Sequence, residues 1–283
     1  MPIFHAIVLG LVQGFSEFLP ISSSGHLLLV PWLFGWDDFS GPNGDSVKKT
    51  FDVALHLGTL VAVLAYFWRD VMVYVREGTR LVFSRQRPTT VEGRMAWFFV
   101  LATLPAAAVG ALFEDVIDSA LGTPLIIAIS LILFGLLLGW ADRLTGKRDL
   151  EEFKAPDALK VGLAQTLALN PGTSRSGITI TAARWLGFNR DAAARISFVM
   201  SIPVIAGAVV VKSAGLFTGE VDSDLYVPMV VGIVTSGLSG WVAVWGTLRL
   251  IRTRSFMPFV IYRIGLGIFV LVLIATGLRD GSG

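Results

Sequence analysis

The chain is a succession of long apolar runs cut by short charged ones. A transmembrane helix needs about 20 mostly apolar residues. Six segments fit: 51–68, 96–113, 123–141, 195–217, 226–249 and 257–278. Two further apolar stretches are patterned differently. Residues 3–35 are too long for one span and too short for two with a loop. The polar cluster Pro20-Ile21-Ser22-Ser23-Ser24-Gly25-His26 interrupts them near the middle. Residues 158–187 are interrupted alike by Asn170-Pro171-Gly172-Thr173-Ser174-Arg175-Ser176-Gly177. Each arm has about 10–16 residues, which reaches roughly halfway across a bilayer. Both stretches are expected to be re-entrant hairpins, whose irregular backbone is tolerated only where protein or a water-filled cavity satisfies it. The alternative is a pair of proline-kinked full spans.

Composition agrees. Hydrophobic residues make up 54% and charged residues 16%, against roughly 25% charged in soluble proteins. The expected architecture is an all-α polytopic membrane protein, with six transmembrane helices plus two re-entrant helical hairpins in a single integral membrane domain, 1–283. The net charge of +2 comes without a basic block, which excludes nucleic acid as a partner. The absence of cysteine excludes disulfides, thiolate metal sites and thiol nucleophiles. The opening MPIFHAIVLG has no basic segment, so no cleaved signal peptide is expected.

Loop charge sets the orientation. Sixteen Lys and Arg fall in 69–95, 142–158, 184–195 and 249–254. Only Lys48, Lys49 and Arg279 fall on the other side, and 114–122 and 218–225 carry acids without a base. The asymmetry holds only if each interrupted stretch returns to its own side, which supports the hairpins independently of length. The basic loops are then cytoplasmic and both termini extracytoplasmic.

An offset of 152 residues places Leu11 on Leu163, Gln13 on Gln165, Pro20 on Gly172, Ser22 on Ser174, Ser24 on Ser176 and Gly25 on Gly177. Each hairpin is followed by three spans, so a second copy would be inverted. The repeats expected are about 1–145 and 155–283. Broken helices in inverted repeats mark the binding site in many membrane proteins. The small-residue spacings Gly135/Gly139 and Gly232/Ser236/Gly240 suit close helix packing.

The chemistry concentrates at the two tips. Ser22-Ser23-Ser24-Gly25-His26 opens a returning helix, where hydroxyls, free N–H groups and the helix dipole favour an anion. The second tip repeats this with Ser174-Arg175-Ser176-Gly177, followed by Thr179. The planar fork of Arg175 suits phosphate. An ionisable residue within the membrane is functional by default. Two such tips brought together would form one site for a phosphate or diphosphate. Helix capping is the plainer reading of the serines, and a structural ion pair that of Arg175. Glu17 lies just before the first tip, with Gln13 four residues earlier on the same face. A carboxylate there can hold a divalent cation through oxygen or move protons. His26 is placed as a general acid or base. His56 and Asp52 are read mainly as structural, and Tyr262-Arg263 either snorkels or reaches the site. A hydroxyl, a His, a Glu and an Arg are the parts that phosphoryl transfer needs.

The run from Gln13 to His26, with Pro171 to Thr179, resembles the undecaprenyl-diphosphate phosphatase family, also called bacitracin resistance proteins. The resemblance extends to Phe51-Asp52, Thr103-Leu104-Pro105 and Phe259 to Arg263. It implies removal of the terminal phosphate of undecaprenyl diphosphate, recycling of the carrier lipid for peptidoglycan synthesis, and resistance to bacitracin. It implies a divalent cation, Mg2+ or Ca2+, at Glu17 with Gln13, and some relatives carry Glu where Gln13 stands. It implies Ser23 as nucleophile, with an activated water as the alternative, His26 as acid/base and Arg175 as diphosphate clamp. Ser22, Ser24, Gly172, Ser174, Ser176 and Thr179 would bind phosphate, with the site open to the extracytoplasmic side of the bacterial inner membrane. The expected partners are the polyprenyl diphosphate, membrane lipid and a second copy in a homodimer.

A lipid-phosphate flippase would use the same head-group site without cleavage. Acid-phosphatase-like lipid phosphatases are excluded, because Thr181 stands where their His follows Ser-Arg. A scaffold protein leaves a buried Arg and Glu unexplained. An apolar lateral opening between spans is expected to admit the polyprenyl tail.

Overall fold

The computed structural model describes residues 1–40, 43–84, 90–212 and 223–281. Among these the chain forms eleven α-helices, and the only β contact is an isolated bridge between Arg148 and Phe188. A first helical pair, α1 (Ile3–Phe18) and α2 (Ser23–Phe34), turns at residues 19–22. Then come α3 (Gly44–Tyr66), α4 (Trp68–Ser84), α5 (Val91–Leu121) and α6 (Pro124–Asp142). A second pair follows: α7 (Ala155–Gln165), extended by a 3₁₀ turn over Thr166–Leu169, and α8 (Arg175–Trp185). The chain ends with α9 (Arg190–Lys212), α10 (Tyr226–Ile251) and α11 (Met257–Ala275).

Six helical segments are long and apolar enough to cross a membrane: Gly44–Tyr66, Val91–Phe113, Pro124–Asp142, Arg190–Val211, Ser223–Ile251 and Met257–Ala275. Each takes in most of one predicted span. Of 195–217, residues 213–217 lie outside the described residues, as do 218–222 of the acidic loop. The 16 residues of α1 and 12 of α2 extend about 24 and 18 Å. Neither matches the roughly 30 Å of a hydrocarbon core. The 11 residues each of α7 and α8 fall further short.

One difference from the sequence reading is α4, in the charge-rich stretch taken as a loop. Val71, Tyr74, Val75 and Gly78 recur at helical spacing and share a cavity with Trp97, Phe99 and Val100 of α5. Trp97 Nε1 donates to Gly78 O at 3.0 Å. An ion pair of Arg80 with Glu77 lies on the same helix, at 2.7 Å.

Backbones approach closely where small residues meet. Gly10 and Gly14 of α1 lie against α10. A Cβ on Gly14 would stand 1.9 Å from Ser239 Oγ and 2.4 Å from Ser236 O. Gly135 and Gly139 of α6 accommodate Arg263 and Val260 of α11. The largest core cluster takes in Phe18, Val63, Phe99, Phe153, Phe188, Phe198 and Phe256. At one end of the molecule, Arg143, Lys147, Arg184, Arg190 and Arg252 line a cavity of about 730 Å³, so three of the basic loops converge. At the far end of α11 the residues that follow it meet α2. Arg279 donates to Leu33 O at 2.6 Å, and Trp32 donates to Asp280 O at 2.8 Å.

Candidate active site

The two tips share a backbone geometry as well as a spacing. Ser22 has φ +80° and Ser174 has φ +74°, the only non-glycine residues with positive φ among those described. Each caps the helix it opens. Ser22 Oγ accepts from Gly25 N at 3.4 Å, and Ser174 Oγ accepts from Gly177 N at 3.0 Å. Such conformations cost about 1–3 kcal/mol each and persist only where surrounding contacts over-determine them.

Here those contacts run between the tips. Ser22 Oγ also accepts from Gly172 N at 3.1 Å, and Ser176 Oγ donates to Leu19 O at 3.1 Å. Gly172 itself has φ +92°, and a Cβ there would lie 2.7 Å from Ile127 O. The fully buried Arg263 clamps the junction from α11. Its guanidinium donates to Pro20 O at 3.2 Å, to Gly172 O and Thr173 O at 2.9 Å each, and to Leu131 O at 3.2 Å.

Glu17 is the centre of what the junction gathers. Its Oε1 accepts from Arg175 at 2.8 Å, linking residues 158 positions apart. Its Oε2 accepts from Ser23 Oγ at 2.5 Å and from Gln13 Nε2 at 3.2 Å. His56 Nε2 stands 3.7 Å from the same oxygen. Glu17 and Gln13 are buried, whereas Ser23 and Arg175 are partly open and Ser24 is exposed. His26 follows Ser23 by one turn of α2. Its Nδ1 lies 2.6 Å from Ser22 O and its Nε2 2.8 Å from Tyr262 Oη. A carbonyl can only accept, so Nδ1 carries the proton and Nε2 accepts from tyrosine.

The structure therefore brings Gln13, Glu17, Ser23 and Arg175 into one cluster. The buried hydroxyls of Ser22, Ser174, Ser176 and Thr179 are engaged within the protein. Thr179 Oγ1 meets Arg175 O and Ser197 Oγ, both at 2.8 Å. His56, Tyr262 and Arg263 are the residues that sequence reasoning left as structural or unresolved. Each is ionisable and sits inside an apolar span, which is itself the signal that could have singled them out.

Among the described residues no group of three or more His, Cys, Asp or Glu is placed to hold a metal ion. Gln13 Oε1, on the amide whose Nε2 donates to Glu17, is buried without a hydrogen-bond partner. One carboxylate and one free amide oxygen suit an ion of the Mg2+ type, which takes most of its ligands from water and substrate phosphate. The donor set fits such an ion.

A family model described as bacitracin resistance protein BacA matches residues 6–269. The chain belongs to the bacitracin resistance protein BacA family. A relative from Pelotomaculum thermopropionicum named undecaprenyl-diphosphatase is 44% identical over 277 residues, 98% of each chain. Proteins of the same name from Desulforudis audaxviator and Geotalea daltonii are each 45% identical, over 95% and 98% of this chain and 97% and 100% of their own lengths. This BacA-family chain is thus an all-α, multi-pass membrane protein, and its tips lie within the matched region.

Proposed function

We propose that this chain hydrolyses undecaprenyl diphosphate to undecaprenyl phosphate and inorganic phosphate. The name of its full-length relatives supports the reading, and one observation carries the chemistry. Ser23 Oγ lies 2.5 Å from Glu17 Oε2, while Arg175 neutralises the other oxygen at 2.8 Å. A hydroxyl, its base and a cation are thus assembled at the mouth of a helix N-terminus.

In the first step Ser23 Oγ attacks the terminal phosphorus and gives its proton to Glu17 Oε2. The bond from that phosphorus to the bridging oxygen breaks, and the lipid monophosphate leaves as an anion. In the second step water attacks the phosphoserine, and Glu17 returns the proton to Ser23 Oγ as inorganic phosphate departs. Arg175 moves from Glu17 towards the diphosphate as negative charge gathers on its oxygens. Ser24, exposed on the first turn of α2, and the N–H groups of that turn bind the terminal phosphate. Ser22, Gly172, Ser174, Ser176 and Thr179 shape the two tips that present these groups. His26 is held in one tautomer by Ser22 O, and its Nε2, once Tyr262 Oη gives way, takes the proton of the attacking water.

Glu17 and Gln13 Oε1 would hold a divalent cation, Mg2+ or Ca2+, together with diphosphate oxygens. When bound, it supplies charge neutralisation on the phosphates. The two helical pairs are re-entrant hairpins of inverted repeats. The site opens to the extracytoplasmic side of the inner membrane, and the isoprenoid tail stays in lipid between the spans. A homodimer is the expected assembly.

The test is phosphate release by the purified protein from polyprenyl diphosphate and from polyprenyl monophosphate, with and without chelator. Release from the diphosphate alone, abolished by chelator, is the expected result. Lipid binding without release would replace hydrolysis by head-group carriage across the membrane.

A further inference from the structure

His56 lies 39 residues from Glu17 in sequence and on a different helix, yet its ring faces the same carboxylate oxygen that Ser23 and Gln13 approach. We infer that His56 is a ligand of the divalent cation, sharing the ion with Glu17. The inference rests on the proposed need for such a cation and adds a nitrogen donor to the oxygens already described.

Three features support it. His56 Nδ1 lies 2.7 Å from Asp52 O, and since a carbonyl only accepts, the proton of the neutral ring sits on Nδ1. The bare lone pair of Nε2 therefore faces Glu17. A backbone carbonyl fixing the far nitrogen is the usual support behind a metal-bound imidazole. Second, Nε2 stands 3.7 Å from Glu17 Oε2, too far for a hydrogen bond. Two ligand bonds of about 2.1 Å ending that far apart subtend about 120° at a shared ion. Third, Gln13, whose Nε2 donates to Glu17 Oε2 at 3.2 Å, leaves its own Oε1 buried with no partner, so a neighbouring side chain keeps an unused oxygen donor. The His56 side chain remains 29% exposed, which leaves the ion a way in.

An imidazole ligand also changes which ions are favoured. Nitrogen donors suit Mn2+ or Zn2+ better than Ca2+, which prefers oxygen throughout. A protonated His56 paired directly with Glu17 is the competing account, and it predicts no metal–nitrogen bond.

The experiment is Mn2+ titration of the full-length protein in detergent, read by pulsed electron paramagnetic resonance for coupling to imidazole nitrogen. The chain has three histidines: His5, His26 and His56. The wild type should show the coupling, and a His5→Gln/His26→Gln double variant should keep it. His56→Gln should lose it and bind Mn2+ on the order of 10-fold more weakly. Should His56→Gln fail to fold, the double variant decides alone, because His56 is then its only imidazole. Bound Mn2+ without nitrogen coupling, or coupling that survives His56→Gln, overturns the assignment and leaves the hydrolase reading standing. A wild type that binds no Mn2+ while releasing phosphate overturns the cation along with it.

Discussion

Arg263→Met tests what holds the two tips together. The substitution keeps an apolar stem of similar reach in α11 and removes the guanidinium. Four backbone carbonyls then lose a donor: Pro20 in the first tip, Gly172 and Thr173 in the second, and Leu131 in α6. Hydrogen bonds to a charged donor are worth about 1.5–3 kcal/mol each, so the gross loss is about 6–12 kcal/mol. Burying a guanidinium costs several kcal/mol, which the variant no longer bears, leaving a net loss of about 4 kcal/mol. For a chain of this size that corresponds to a fall in Tm of about 10 °C, measurable by thermal unfolding in detergent. Turnover should fall further than stability accounts for. The carbonyls released belong to the turns that set Ser23 against Arg175, and a 1 Å misplacement of reacting groups costs about 100-fold. The assay is therefore run well below the variant's own Tm. A variant that melts within about 2 °C of wild type and retains its turnover would refute the clamp.

Two further predictions follow from the packing and the caps. Gly14→Ala should destabilise the protein by about 1–3 kcal/mol, because its Cβ would meet Ser236 O at 2.4 Å. Gly246→Ala, in α10 with nothing within 4 Å, should leave Tm unchanged or raise it slightly; equal effects of the two would contradict the α1–α10 contact. Ser22→Ala should lower stability by about 1–3 kcal/mol, since Gly172 N and Gly25 N both lose their acceptor. Ser24→Ala should leave stability alone and raise KM. A Ser22 variant as stable as wild type would show that the hydroxyl is not what joins the tips.

Much of this was readable from the chain. Apolar length located the six spans, since a bilayer imposes one scale on every crossing helix. The serine clusters allowed helix capping as a reading at both tips, because capping is local and its signal lies within four residues. Gln13, Glu17, Ser23 and Arg175 could be paired because each stood near a tip already picked out. What escaped was long-range. His56 lies in the apolar stretch of α3, and nothing in its neighbours shows that its ring faces Glu17. Arg263 offered two readings, snorkelling or reaching inward, and only the position of α11 against both turns decides between them. Helix α4 was hidden by its charges, which suggested a loop although its apolar positions keep helical spacing. The division of the serines into exposed and engaged hydroxyls depends on how the tips meet, which the spacing alone does not contain.

If one site built from both tips hydrolyses the diphosphate, each tip must contribute to turnover. Phosphate release from polyprenyl diphosphate by Arg175→Ala, beside wild type and Ser23→Ala, tests it most directly. Arg175 belongs to the second tip and Ser23 to the first. Arg175→Ala should release phosphate at least about 100-fold more slowly, as when one transition-state charge stabiliser is lost, and Ser23→Ala should bind the lipid without turning it over. Turnover near the wild-type rate in Arg175→Ala would contradict the account, because it would leave the second tip outside the reaction.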